Sequence, residues 1–276
     1  MSTPTPSTPK GLQRVEHHLN AIVTGSHEQR VSALKAIRNL SIQPSKRRDL
    51  ASFSGFVEVI CTTLLDHVEE SQVVSALCVE IIKNLVLEHP VIDHQFVMEP
   101  SCLTSMSKLL VETDSEDVQL NVLAIVDYLS ILEMHQTAVC GEDGLVSSVC
   151  EFLVHENAQI RDHALMTIQY LSSNPKNKFI MARTDPILSK LTECLEFDDM
   201  QSQILFVLDS LASCEDNVPV LARDDQLMMM LVQLLNSGND EVVDDVRKVL
   251  EQLSNDESLN SPSRSRELQE WVNVAN

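Results

Sequence analysis

The stretches AIRNLS (residues 36–41), IIKNLV (81–86), IVDYLS (125–130) and TIQYLS (167–172) decide how this chain is read. Each sets Asn or Tyr directly before a leucine, and fainter copies follow at DSLAS (209–213) and EQLSN (251–255). The anchoring leucines, Leu40, Leu85, Leu129, Leu171, Leu211 and Leu253, are 45, 44, 42, 40 and 42 residues apart. The residue before each anchor is called the ladder position below: Asn39, Asn84, Tyr128, Tyr170, Ser210 and Gln252.

Around every anchor the apolar pattern has the period of an α-helix. Six residues before the ladder stand Ala33, Cys78, Val122, Ala164, Ile204 and Val246. Five before it stand Leu34, Val79, Leu123, Leu165, Leu205 and Arg247, and two before it Ile37, Ile82, Val126, Ile168, Leu208 and Leu250. Together with the anchors these make an i, i+1, i+4, i+7 stripe, the buried face of a helix, with Arg247 as its one polar member. Upstream of each such helix after the first lies another apolar stretch: FVEVICTTLL (56–65), CLTSMSKLLV (102–111), LVSSVCEFLV (145–154), ILSKLTECL (187–195) and LMMMLVQLL (227–235). Ahead of these run short linkers, RRDLASFSG, DHQFVMEP, HQTAVCGEDG, NKFIMARTDP and NVPVLARDDQ, with Gly, Pro or acidic residues at the bends. Pro100 and Pro186 are expected in the first turn of the helix each one opens, where a missing N–H costs nothing. A period in the low forties made of helices, with no strand alternation, belongs to stacked helical repeats.

Composition sets the limits of function. The 276 residues carry 20 Lys plus Arg against 41 Asp plus Glu, a formal charge of −21, which argues against binding nucleic-acid phosphates or anionic membrane surfaces. The seven cysteines form no CxxC pair and sit in apolar stretches, as reduced thiols would, which predicts a cytoplasmic or nuclear protein. No run of 18 apolar residues occurs, and the first residues, MSTPTPSTPKG, have no signal-peptide pattern, so neither membrane insertion nor secretion is expected.

The repeat pattern resembles the armadillo family, in which a short first helix and a second are followed by a long third helix whose exposed face lines a groove. The stretch GLVSSVCEFLVHENAQIRDHALMTIQYLSSNPKNKFIMARTD (144–185) comes nearest to that family's wording. The resemblance, shared in part with the related HEAT repeat, implies an all-α, right-handed superhelical solenoid of about six repeats. It covers residues 12–255, between a Ser/Thr/Pro tail (1–11) and an acidic, polar tail (256–276). It also implies a scaffold or adaptor without enzymatic activity, which binds a peptide or helix of a partner protein in the groove. An exchange factor of Hsp70 chaperones and a nuclear transport adaptor are other family roles. For the latter, the tryptophans expected one turn before the ladder are replaced by Lys35, Glu80, Ala124, Met166, Phe206 and Lys248.

On this resemblance Asn39 and Asn84 hydrogen-bond the backbone of the partner segment. The only two tyrosines, Tyr128 and Tyr170, occupy consecutive ladder positions, and with Leu120, Ala124, Met166 and Phe206 they predict an exposed apolar patch. Two readings of the tyrosines stay open: anchors for a ligand, or cover for the protein's own helices. Acidic residues crowd the turns entering the third helices, among them Glu116, Asp117, Asp198, Asp199, Asp240, Glu241, Asp244 and Asp245. They suit helix N-termini, and aligned by stacking they predict an acidic rim that steers a basic partner.

Other chemistry is poorly supported. HPVIDH (89–94) offers His89, Asp93 and His94 at a spacing that fits no standard zinc motif, and no phosphate loop or nucleophile elbow exists. Neither metal nor cofactor is expected. Thr3, Thr5, Thr8 and Ser261 each precede proline and resemble proline-directed phosphorylation sites. RELQEWVNVAN (266–276) predicts a short amphipathic helix carrying Trp271, as a cap on the last repeat or a docking peptide.

Overall fold

The computed structural model describes residues 10–87 and 90–254, and the segments holding Thr3, Thr5, Thr8, Ser261 and residues 266–276 lie outside them. The described residues form seventeen α-helices and no strand. The chain divides into two compact units after Leu129.

Unit 1 holds α1 (Lys10–Thr24), α2 (His27–Ser41), α3 (Pro44–Ala51), α4 (Phe56–His67), α5 (Gln72–Val86), α6 (Pro90–Val97), α7 (Pro100–Glu112) and α8 (Glu116–Ser130). Unit 2 follows with α9 (Glu133–Gly141), α10 (Leu145–Glu151), α11 (Ala158–Ser173), α12 (Pro175–Met181), α13 (Ile187–Cys194), α14 (Gln201–Ala212), α15 (Val218–Leu221), α16 (Asp225–Leu234) and α17 (Asp240–Ser254). One helix pair is thus followed by five triplets of short, middle and long helices. The stretches read as linkers form the short helices. α1 starts at Lys10, directly after the last proline of the segment expected to be a tail, where nothing further opposes helix.

The boundaries have local causes. Ser26 caps α2 with a full capping box: Gln29 N–H donates to Ser26 Oγ at 3.3 Å, and Ser26 N–H donates to Gln29 Oε1 at 2.8 Å. Gly55 and Gly144 precede α4 and α10 at φ of 78° and 72°, a left-handed backbone that a side chain would strain. Pro100 opens α7 as expected, whereas Pro186 stands one residue ahead of α13 as its N-cap. There too its missing N–H removes no helix bond.

The apolar stripe is the core. Of its members only Leu40 and Arg247 are not buried. Leu40 belongs to the pair that lacks a short helix and so has fewer neighbours. Arg247 has a different cause. The residue just before the ladder meets the next long helix: Arg38 pairs with Glu80, Lys83 Nζ donates to Asn121 Oδ1 at 2.6 Å, and Asp209 accepts from Gln252. The stripe position held by Arg247 is one turn before that residue and therefore faces the same way. Among the described residues no helix follows α17, and there Arg247 is half-buried with its Nη1 donating to Asp244 Oδ1 at 2.9 Å.

Polar staples complete the packing. Long helices end with carbonyls that lack an intrahelical partner, and side chains in α3, α9 and α12, and Asn217 just ahead of α15, reach back to them. Arg47 Nε donates to Ser41 O at 2.9 Å, Gln136 Nε2 to Ser130 O at 2.9 Å, Asn177 Nδ2 to Leu171 O at 3.1 Å and Asn217 Nδ2 to Leu211 O at 3.0 Å. The two asparagines also donate to a preceding short helix, at Gln136 O (3.2 Å) and Lys178 O (2.8 Å). All four staples are buried. A buried polar group is tolerated when it is hydrogen-bonded, and here it fixes the angle at which each short helix leaves the long one.

Candidate functional site

Third-helix faces of the two units differ in chemistry. In unit 1, α2 and α5 present Lys35, Arg38, Asn39, Glu80, Lys83 and Asn84, a polar surface laced by the Arg38–Glu80 ion pair. Asn39 is exposed, its Oδ1 accepting from Arg38 Nη1 at 3.4 Å. Asn84 is half-buried, and its Nδ2 donates to Ser41 Oγ on the preceding long helix at 3.0 Å. On α8, Leu120 and Tyr128 are half-buried. Ala124 was expected to be exposed beside them and is not: only 6% of it reaches solvent. Its neighbours on the helix, Val122 to Val126, are all buried, so the small side chain lies below the surface that longer residues reach at that position.

In unit 2 the corresponding face of α11 and α14 carries exposed apolar residues. Met166 on α11 and Phe206 on α14 occupy the same register, one turn before the ladder, and are 38% and 52% exposed. Tyr170 is half-buried beside Met166 in the helical register, and its hydroxyl makes no hydrogen bond among the described residues. The later ladder residues bond backward as Asn84 does: Ser210 Oγ donates to Ser172 O at 2.8 Å, and Gln252 Nε2 to Asp209 Oδ1 at 2.6 Å. One function of the ladder is therefore architectural, tying α5, α14 and α17 each to the long helix before it.

The acidic residues lie at the helix entries. Glu116 and Asp117 are exposed in the first turn of α8, Asp198 and Asp199 in the turn before α14, and Asp240 and Glu241 in the first turn of α17. Asp198 Oδ1 accepts from Gln201 Nε2 at 3.2 Å. Asp244 and Asp245 lie one turn further along α17 and are matched by cations, Arg247 at 2.9 Å and Lys248 at 2.8 Å. No cation pairs with Asp199, Asp240 or Glu241 among the described residues.

Other reactive groups are inward. Cys61, Cys78, Cys102, Cys140, Cys150 and Cys194 are buried and Cys214 is half-buried, with no disulfide among the seven. Of the HPVIDH residues, His89 lies outside the described residues, while Asp93 is buried and His94 exposed. Sequence reasoning missed the polar staples, and it missed the exposed pair Phe179 and Ile180 on α12, where the Arg183 guanidinium stacks 3.7 Å from the Phe179 ring centre. Their i, i+3, i+4, i+7 spacing with Lys176 and Arg183 was the available signal.

No family model matches the sequence, and no curated protein does. Solved structures do. Computationally designed armadillo repeat proteins for modular peptide recognition superpose with a TM-score of 0.67 at 19% identity, over 87% of this chain and 98% of theirs. A designed armadillo repeat protein in complex with the peptide (KR)4 gives 0.63 at 17% identity, over 89% of this chain and all of its own. A structure described by a phosphorylation switch in the interaction between cadherin and β-catenin gives 0.70 at 17% identity, over 93% of this chain and 49% of the other. The fold of this chain is the armadillo repeat fold.

Proposed function

We propose that the chain is a non-enzymatic scaffold that binds a partner protein through the third-helix face of unit 2. The observation that carries this is the exposure of Phe206 and Met166 at one register on packed helices α11 and α14. Large apolar side chains left partly in water forgo part of the about 1.5–3 kcal/mol that full burial gives each, and side by side they are the usual anchors of a protein interface. Tyr170 adds a ring with an uncommitted hydroxyl. The ligand is an apolar peptide or helix of the partner. The cation-free carboxylates of Asp199, Asp240 and Glu241 favour one that carries positive charge. In unit 1 the exposed amide of Asn39 suits the backbone of an extended segment. A designed armadillo protein held in complex with a peptide, and others designed for modular peptide recognition, support a peptide-binding use of this fold. Seven unpaired thiols support a reducing compartment, cytoplasm or nucleus.

The test is affinity purification of the wild type beside Met166→Ala, Phe206→Ala, with partners identified by mass spectrometry and helicity checked by circular dichroism. Partners lost from a folded variant establish the face as the site. An unchanged partner set rules it out.

A further inference from the structure

In four of the five triplets a buried polar side chain stands six residues after a carbonyl at the end of the preceding long helix and donates to it: Arg47, Gln136, Asn177 and Asn217. Arg47 is the fourth residue of α3 and Gln136 the fourth of α9. Asp93 is the fourth residue of α6, so it stands in the same register at the end of α5. It is 2% exposed, and its Oδ1 has no hydrogen-bond partner. Arg, Gln and Asn supply an N–H there whatever their surroundings. A carboxylate has no proton to give, and a carboxylic acid has one.

We propose that Asp93 is a protonation switch inside unit 1. As the neutral acid it serves the carbonyl end of α5 as Arg47 serves that of α2. As the carboxylate it loses its proton to solvent, keeps only its own backbone N–H as a donor, has none to give the α5 carbonyls, and releases α6. A buried anion whose Oδ1 has no partner, and its repulsion from carbonyl acceptors, act in the same direction, toward local opening.

The electrostatics agree. Burial pushes the Asp93 carboxyl up to about 7, opposed by the hydrogen bond from its own backbone N–H. Charged residues on the elements around α6 contribute nothing to the shift. On α5, Glu80 is paired with Arg38 and Lys83 is bonded to Asn121. Glu99, before α7, accepts from Ser101 Oγ, and Lys108 and Glu112 on α7, Glu58 on α4 and the adjoining His94 are exposed. An opened or unfolded Asp93 titrates near about 4. Between that value and about 7 the closed form therefore holds a proton that the open form has lost. The contribution to closure is complete at low pH, falls as pH rises through this window, and is gone above it.

Hydrogen exchange of the α6 amides, corrected for intrinsic rates, tests this between pH 5 and 8.5. Expected is a local opening equilibrium that rises up to about tenfold per pH unit until about pH 7 and then levels off. Asp93→Asn, which keeps a donor and cannot ionise, should flatten the profile and leave α6 better protected than wild type at pH 8. A flat wild-type profile, or the wild-type slope persisting in Asp93→Asn, overturns the switch. Should that variant fail to fold, the carboxyl ¹³C resonance of Asp93 in the wild type decides: a midpoint near 7 sustains the proposal and one near 4 ends it.

Discussion

Asn84 Nδ2 donates to Ser41 Oγ at 3.0 Å, across two long helices and 43 residues of sequence. Ser41 Oγ in turn donates to Arg38 O at 2.9 Å, so the hydroxyl proton is committed and its lone pairs face the amide. Both residues were prominent in the repeat phrase, one as a ladder residue and one as its trailing serine. Their bond ties one repeat to the next, and it leaves the Asn84 carbonyl oxygen to spare.

Breaking that bond should cost what one partly buried neutral hydrogen bond contributes. Asn84→Ala is expected to lower unfolding free energy by about 1 kcal/mol. A double-mutant cycle with Ser41→Ala, measured by urea denaturation, should return a coupling of about 0.5–1.5 kcal/mol. Additive effects would show the contact to be incidental.

The staples should matter more. Asn177 is 1% exposed and one Nδ2 serves both Leu171 O and Gln136 O. Asn177→Leu is close in shape and leaves two buried carbonyls without that donor, each at about 1–3 kcal/mol. A loss of about 2 kcal/mol or more is expected in the same denaturation experiment. Lys176→Leu, one residue away and exposed, should stay within about 0.5 kcal/mol of wild type.

How legible these features were follows from their physics. The stripe of Ile37, Ile82, Val126, Ile168, Leu208 and Leu250 could be read because burial of one helix face imposes a local period that each repeat writes again. Arg247 broke that period, and its meaning needed the structure, since only packing shows that its guanidinium meets Asp244. The staples escaped because Asn177 inside NKFIMAR reads as linker polarity. What makes it structural is a carbonyl six residues back, exposed by the end of a helix and not by any pattern. Ala124 failed for a related reason: register gives the direction of a side chain, and its length decides whether it reaches the surface.

Thiol chemistry provides a test of burial. Desolvation pushes Cys140 up to about 11 and Cys194 up to about 12, and raises Cys61, Cys78 and Cys150 still more strongly. The thiolate is the reactive form, so at pH 8 these groups are both hidden and protonated. Iodoacetamide on the native protein at pH 8 should label Cys214 and spare the other six, with all seven labelled in guanidinium. Rapid native labelling of Cys150 or Cys194 would contradict the packing of α10 and α13.

The apolar face of unit 2 makes a prediction of the opposite kind. Side chains that cover their own fold cost stability when removed, whereas side chains reserved for a ligand do not. Phe206 and Met166 are 52% and 38% exposed, so truncation removes only the covered part of each and leaves no closed cavity. Phe206→Ser with Met166→Ser is therefore expected to lower unfolding free energy by no more than about 1 kcal/mol per site. Leu205→Ser, adjacent in sequence and fully buried, should cost several-fold more, about 3 kcal/mol or greater, by combining a cavity with a buried hydroxyl. A comparable loss from the two exposed sites would place them in the architecture of the repeat. Near-neutral stability leaves their exposure without a structural purpose and makes a partner the reason that phenylalanine and methionine stand where a solvated residue would serve the fold as well.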